Sequence, residues 1–248
     1  MHFAHDYRRL INRWRAVARG CGLPLRRLPM AGRPDQFYLR TTALGTEGGI
    51  YLSAGIHGDE PAATEALVSW AEAQGAKLND LPLLIFPCLN PWGLTHNSRF
   101  SEKGEDLNRL FHQDAHPLIA AVKAVVGTRK FAVALLLHED YDGQGIYIYE
   151  IQRTLPYWGE ALLETARPVI SIEGRPMVDG RKATDGLIRR KLSRKFFDRI
   201  GYPEAIWLHF EHSDRTFTIE TPSEFALPQR VAAHRVIIEE SVRRVVGV

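Results

Sequence analysis

Three short stretches of this 248-residue chain place metal-binding or proton-carrying side chains at the ends of apolar runs. The first is Ala54-Gly55-Ile56-His57-Gly58-Asp59-Glu60-Pro61-Ala62. If the turn leads into a helix at Pro61, His57 and Glu60 converge on one point. Imidazole nitrogen and carboxylate oxygen are both first-choice zinc ligands. An HxxE pair alone is unspecific, because a helix-capping acid beside a surface histidine has the same spacing. The second is His138, directly after the run Phe131 to Leu137. That position is the rim of a sheet, where α/β active sites form. With His57 and Glu60 it completes a two-histidine, one-carboxylate set for a single zinc ion, with a fourth position left for water. The third is Glu220, after the run Arg215 to Ile219, a candidate general base for that water.

The polar stretch from Asn90 to His116 reads as a long loop, a kind that tends to carry function, and adds Arg99 and Asp106-Leu107-Asn108-Arg109. An arginine beside an asparagine can fork onto a substrate carboxylate. Asp106 can instead accept the free N–H of a zinc-bound histidine. Each of these residues, taken singly, also suits a solvated surface. Cys88 closes an apolar run and reads as core rather than as a nucleophile.

The elements that must position these groups follow from periodicity. Tyr7 to Arg19 has helical spacing of Leu10, Ile11, Trp14, Val17 and Ala18, and Gly20 and Gly22 can stop it. Phe37 to Leu39 and Ile50 to Ala54 read as strands across a glycine-rich turn. A helix opens at Pro61 and runs to about Gln74. Leu83 to Cys88 and Phe131 to Leu137 read as buried strands, and Gly145 to Glu150 alternates as a strand. Leu118 to Val126, Tyr157 to Ala166 and Gln229 to Val245 read as helices, and Leu187 to Ile200 as a basic helical stretch. Ala205 to Phe210 and Arg215 to Ile219 read as strands. This alternation predicts an α/β fold: a single domain over residues 1–248, with a mixed, mostly parallel twisted sheet sandwiched by helices. Residues 1–35 form an N-terminal helical extension in this reading.

Composition narrows the class. Hydrophobic residues make up 45% and charged residues 25%, which excludes a disordered tail, a collagen-like repeat and a disulfide scaffold. The 32 Lys+Arg against 29 Asp+Glu leave a formal charge of +3, too small to argue for nucleic acid. No run of about 18 apolar residues occurs, so no membrane partner is expected. Two cysteines without a CxxC suit a reducing compartment, and the first residues lack the apolar stretch of a signal peptide. Cytoplasmic residence is the expectation. No GxSxG elbow, GxxxxGK[ST] loop or GxGxxG turn is present.

Taken in order, GIHGDE, NPWG, Arg99, DLNR, His138 and IETPS resemble the zinc carboxypeptidase family, a match that spans Ile50 to Ser223. His138-Glu139-Asp140 followed by Gly145 to Glu150 is similar to a compact bacterial branch of it. The resemblance implies that His57, Glu60 and His138 bind zinc and that Glu220 is base and proton shuttle. It implies that Asn108 and Arg109 hold the substrate's terminal carboxylate, that Arg99 stabilises the oxyanion and that Asp106 buttresses His57. The family also closes a mobile tyrosine over its substrate; Tyr202 is the candidate for that substrate-binding role, with Tyr147 and Tyr149 as rivals. The implied reaction is cleavage of a C-terminal amide bond in a small peptide with a free carboxylate, murein-derived peptides being a sub-case. Related deacylases of aspartate or N-succinylglutamate type use a similar HxxE and Asn-Arg pair, so an acylated amino acid is the alternative substrate. A metal-binding module without turnover is the third reading.

Overall fold

The computed structural model describes residues 3–31, 35–189, 192 and 201–247. Two of its strands show why the chain reads as continuous apolar runs. β3 (Gly49–Ala54) is buried along its whole length. Its Ile50, Leu52 and Ala54 enter one core layer and Tyr51 the other. β5 (Phe131–Asp140) divides likewise, with Val133, Leu135 and Leu137 on one side and Ala134 and Leu136 on the other. A strand covered by helices on both faces has no polar side to alternate with.

The remaining strands are β1 (Arg26–Arg27), β2 (Phe37–Arg40), β4 (Leu83–Phe86), β6 (Tyr147–Gln152), β7 (Met177–Val178), β8 (Arg181–Lys182), β9 (Leu187–Arg189) and β10 (Arg215–Pro222). The main sheet has the order β1-β2-β4-β3-β5-β10-β6-β9, and β7 and β8 form a separate hairpin. The centre β4-β3-β5-β10 is parallel, β6 runs antiparallel to β10, and β2 runs antiparallel to β4.

One face is covered by α1 (Tyr7–Gly20), α2 (Pro61–Gln74), α5 (Gly159–Ala166) and α7 (Leu227–Val246). The other is covered by α4 (Pro117–Val126) and α6 (Glu204–Glu211), and α3 (Pro91–His96) is a short helix at the sheet's end. α1 is anchored rather than appended. Trp14 is fully buried in the main core, and Arg13 reaches Glu65 and Glu72 of α2 at 2.6 and 2.7 Å.

Three expectations change. Ala205 to Phe210 is helical, not a strand. A short apolar run cannot be told from a buried helix by periodicity, and Pro203 stands at the N-cap where a helix opens readily. The stretch Asn90 to His116 is not all loop, because Asn90 caps α3 by accepting the Gly93 N–H at 2.9 Å. The basic stretch Leu187 to Ile200 begins as strand β9; residues 190, 191 and 193–200 lie outside the described residues. Among the described residues no helix is long and apolar enough to cross a membrane.

Candidate active site

The turn from β3 to α2 is shaped by two glycines. Gly55 has φ +64°, and a Cβ there would lie 2.7 Å from the Thr64 methyl and 2.9 Å from Cys88 Sγ. At Gly58 a Cβ would lie 1.8 Å from the Gly93 carbonyl carbon, so the backbone of α3 occupies that space. The turn buries His57 and leaves Glu60 at the N-cap of α2, ahead of Pro61 in the first turn.

Glu60 does not cap the helix. Its Oε1 lies 2.6 Å from His57 Nδ1 and its Oε2 lies 2.8 Å from His138 Nδ1. One donor atom from each of the three buried residues lies within 4.8 Å of the others. The other ring nitrogen of His57, Nε2, faces Asp106 Oδ1 at 3.3 Å. Asp106 Oδ2 accepts two N–H groups of Arg99, from Nε at 3.2 Å and Nη2 at 3.0 Å. Asp106 Oδ1 also accepts the Asn108 N–H at 3.0 Å, which fixes the loop.

Strand register supplies the rest. His138 on β5 pairs with Glu220 on β10, and Glu220 pairs with Tyr147 on β6. Residues paired across a sheet point to the same face, so the three form one row beside Glu60 and His57. The next row on that face is Leu136, Thr218 and Tyr149. All but Leu136 of these two rows line a cavity of about 640 Å³, as its floor, and it also takes in Arg99, Asn108, Arg109, Arg175, Asp179 and Arg181.

The structure thus gathers eight of the nine expected residues: His57, Glu60, His138, Glu220, Arg99, Asn108 and Arg109 line the cavity, with Asp106 behind His57. It does not gather Tyr202. That residue bridges to Leu110 outside the cavity, and its ring packs near His112 and Phe210. Tyr147 and Tyr149 line the cavity instead, donating to Asp140 at 3.0 Å and Asp179 at 2.9 Å. Asn108 Oδ1 accepts the Glu204 N–H at 2.9 Å, which leaves its amide N–H₂ to serve a ligand. Arg109 donates to the Asn108 carbonyl at 3.1 Å, and no carboxylate among the described residues pairs with it.

Electrostatics separates the acids. Burial would raise the Glu60 carboxyl, but the two imidazoles outweigh it and hold the group well below the ordinary carboxylate range. Burial pulls His57 down, yet Glu60 and Asp106 outweigh it and bring the imidazole up to about 9. Glu220 hydrogen-bonds to no imidazole among the described residues. Burial raises it to about 8, with the Glu60 and Asp140 carboxylates adding to the rise and His138 opposing it.

This pattern tests the donor set for a metal. Two imidazole nitrogens face the two oxygens of one carboxylate, contacts that hold only with protons between them. A divalent cation takes the place of those protons, and a borderline His₂Glu set suits zinc. The residues fit the group.

Two residues are given no role in the sequence reading. Glu139 is buried behind His138; strand alternation was the signal that turns it away from the cavity. Glu204 is buried at the start of α6, accepts the Tyr51 hydroxyl with Oε1, and is raised by burial. The misread helix hid it.

Comparison with known proteins agrees with this architecture. Residues 48–132 match the family described as succinylglutamate desuccinylase/aspartoacylase catalytic domain. That segment holds His57, Glu60, Arg99, Asp106, Asn108 and Arg109; His138 and Glu220 lie beyond it. No curated protein matches the chain in sequence. A Shewanella amazonensis protein assigned as a metallopeptidase superposes with TM-score 0.81 at 22% identity, over 98% of this chain and 94% of that one. A metallo-carboxypeptidase from Burkholderia cenocepacia gives 0.66 at 16% identity, over 94% and 67%. The murein-tripeptide amidase of Escherichia coli O157 gives 0.59 at 16% identity, over 88% and 89%. The chain thus shares its fold with structures described as a metallopeptidase and a metallo-carboxypeptidase, and its matched segment is that of a catalytic domain. The sequence match, to the desuccinylase/aspartoacylase catalytic domain, covers the segment that carries His57 and Glu60.

Proposed function

We propose that the protein is a zinc-dependent hydrolase that cleaves the C-terminal amide bond of a small peptide bearing a free carboxylate. The observation that carries this reading is the row His138–Glu220–Tyr147. It sets a half-buried carboxyl, raised towards neutrality, beside the His57–Glu60–His138 cluster, on the floor of a cavity that also takes in the Arg109 guanidinium. Bound at those three residues, zinc would lower the pKa of a water towards about 7 and polarise the scissile carbonyl.

The chain's own groups do the rest. Glu220 accepts a proton from the attacking water as the new C–O bond forms, then returns it to the amine nitrogen as the C–N bond breaks. A carboxyl shifted towards neutrality serves both transfers. Arg99 offers guanidinium N–H groups to the developing oxyanion while Asp106 fixes its orientation. Arg109 and the Asn108 amide hold the substrate carboxylate. The cytoplasm is the compartment this reading assigns.

The family match over residues 48–132 favours a second reading, removal of an acyl group from an N-acyl amino acid. The two part on product. Zinc-loaded protein is incubated with ordinary peptides, γ-D-glutamyl-diaminopimelate peptides and N-acyl amino acids, and products are read by mass spectrometry. Release of a C-terminal residue, absent with Glu220→Gln, is the expected result. Acyl release alone replaces the peptidase reading by the deacylase, and silence across the panel removes both.

A further inference from the structure

The ligands come from two elements far apart in sequence, and something must hold those elements in register. Glu60 occupies the N-cap of α2, where a side-chain oxygen ordinarily accepts a first-turn amide. It makes no such bond, since both of its oxygens face imidazoles. The amide it neglects is nevertheless satisfied. Glu139 follows His138 on β5, and strand alternation turns its side chain to the opposite sheet face, where α2 and α7 lie. There the fully buried Glu139 carboxylate accepts the Ala62 N–H at 2.6 Å through Oε1. Its Oε2 accepts from Arg230 of α7, whose Nε donates to the Phe225 carbonyl at 2.8 Å. A carboxylate here also meets the positive end of the helix dipole.

We propose that Glu139 is a positioning residue for the metal centre. It caps α2 in place of Glu60 and ties the element that carries Glu60 to the strand that carries His138, with Arg230 as its counterion. This rests on the reading of His57, Glu60 and His138 as metal ligands. A carboxylate cannot both cap its helix and face two imidazoles. Without an outside acceptor, the free first-turn amide competes for Glu60 and draws it off the metal position.

The test uses full-length pairs that remove both buried charges together, so that no lone charge is left in the core. Glu139→Leu/Arg230→Met also removes the acceptor. Glu139→Gln/Arg230→Gln keeps a carbonyl for Ala62. Zinc affinity is measured by competition with a chelator, alongside circular dichroism and the thermal midpoint of the metal-free proteins. The acceptor-free pair should keep a native spectrum and bind zinc about 10-fold more weakly or worse. The glutamine pair should bind like wild type even where its midpoint falls. Wild-type affinity in the acceptor-free pair overturns the proposal, as does a glutamine pair that loses as much affinity as the other. Glu139→Met/Arg230→Met replaces the leucine pair if that one does not fold. A wild-type protein that takes up no zinc overturns the metal reading, and this inference with it.

Discussion

The two ends of the cavity are built differently. At the candidate metal end, His57, Glu60 and His138 are buried and Glu220 is half-buried, on strand ends or at the turn into a helix, and His57, Glu60 and His138 bond to one another or to Asp106. At the far end, Arg175, Asp179 and Arg181 come from short strands and connections and are at least partly exposed; Arg175 bonds to Glu173 and the Asp142 carbonyl, and Asp179 meets Arg181 and the Tyr149 hydroxyl. The first end holds atoms to a fixed geometry, as chemistry on a carbonyl requires. The second can change charge and shape without disturbing the sheet, which is how one scaffold takes different substrates. Asn108 and Arg109 sit at the junction: the Asn108 backbone is tied to Asp106, and both residues line the cavity.

The largest expected effect breaks the metal end alone. Glu220→Gln keeps the size of the side chain and contributes no metal ligand, so zinc content should stay at one equivalent while kcat falls by about 10²–10⁴-fold or more. Metal analysis together with single-turnover kinetics checks it. Near-normal turnover would remove Glu220 from the reaction, and lost zinc would make it a ligand. A smaller effect belongs to the junction. Arg109→Lys keeps the charge and loses the planar fork, so KM should rise about 10-fold, or ~1.4 kcal/mol, with kcat little changed. A fall in kcat at constant KM would move Arg109 from substrate holding to the reacting centre.

The same contrast explains what the sequence revealed. Metal-end residues stand at the ends of apolar runs, and the run and the terminus can both be read without a structure. His138 and Glu220 are legible for that reason, and their pairing is then a matter of parallel register between β5 and β10. Asn108 and Arg109 were legible as a pair of types, but the orientation of the Asn108 amide depends on Glu204, at the head of a helix that periodicity misread. The choice of tyrosine was not legible. Tyr202 stood at a plausible distance before Glu220, whereas the row that brings Tyr147 to the site exists only once β6 pairs antiparallel with β10. Glu139 carried a faint signal in its alternation with His138, but its partners Ala62 and Arg230 are 77 and 91 residues away.

The smallest effect isolates the scaffold from both ends. His209 lies on α6, the helix whose first turns line the cavity, yet the residue itself is buried outside it, and its Nδ1 has no hydrogen-bond partner among the described residues. Burial pushes its imidazole down to about 4, with Arg153 adding to the fall and Asp214 opposing it. The folded chain therefore binds fewer protons than the unfolded chain between about pH 4 and the ordinary histidine value near 6.5. The stability His209 contributes is fully present above that window and is lost as pH falls through it. Replacing it by phenylalanine removes the titrating group and keeps a ring of similar shape. Between pH 6.5 and 4 the thermal midpoint of wild type should drop more steeply than that of His209→Phe, with KM and kcat at neutral pH alike. Parallel curves would show that the imidazole reaches water when charged; a changed KM would show that α6 transmits its packing to the substrate end.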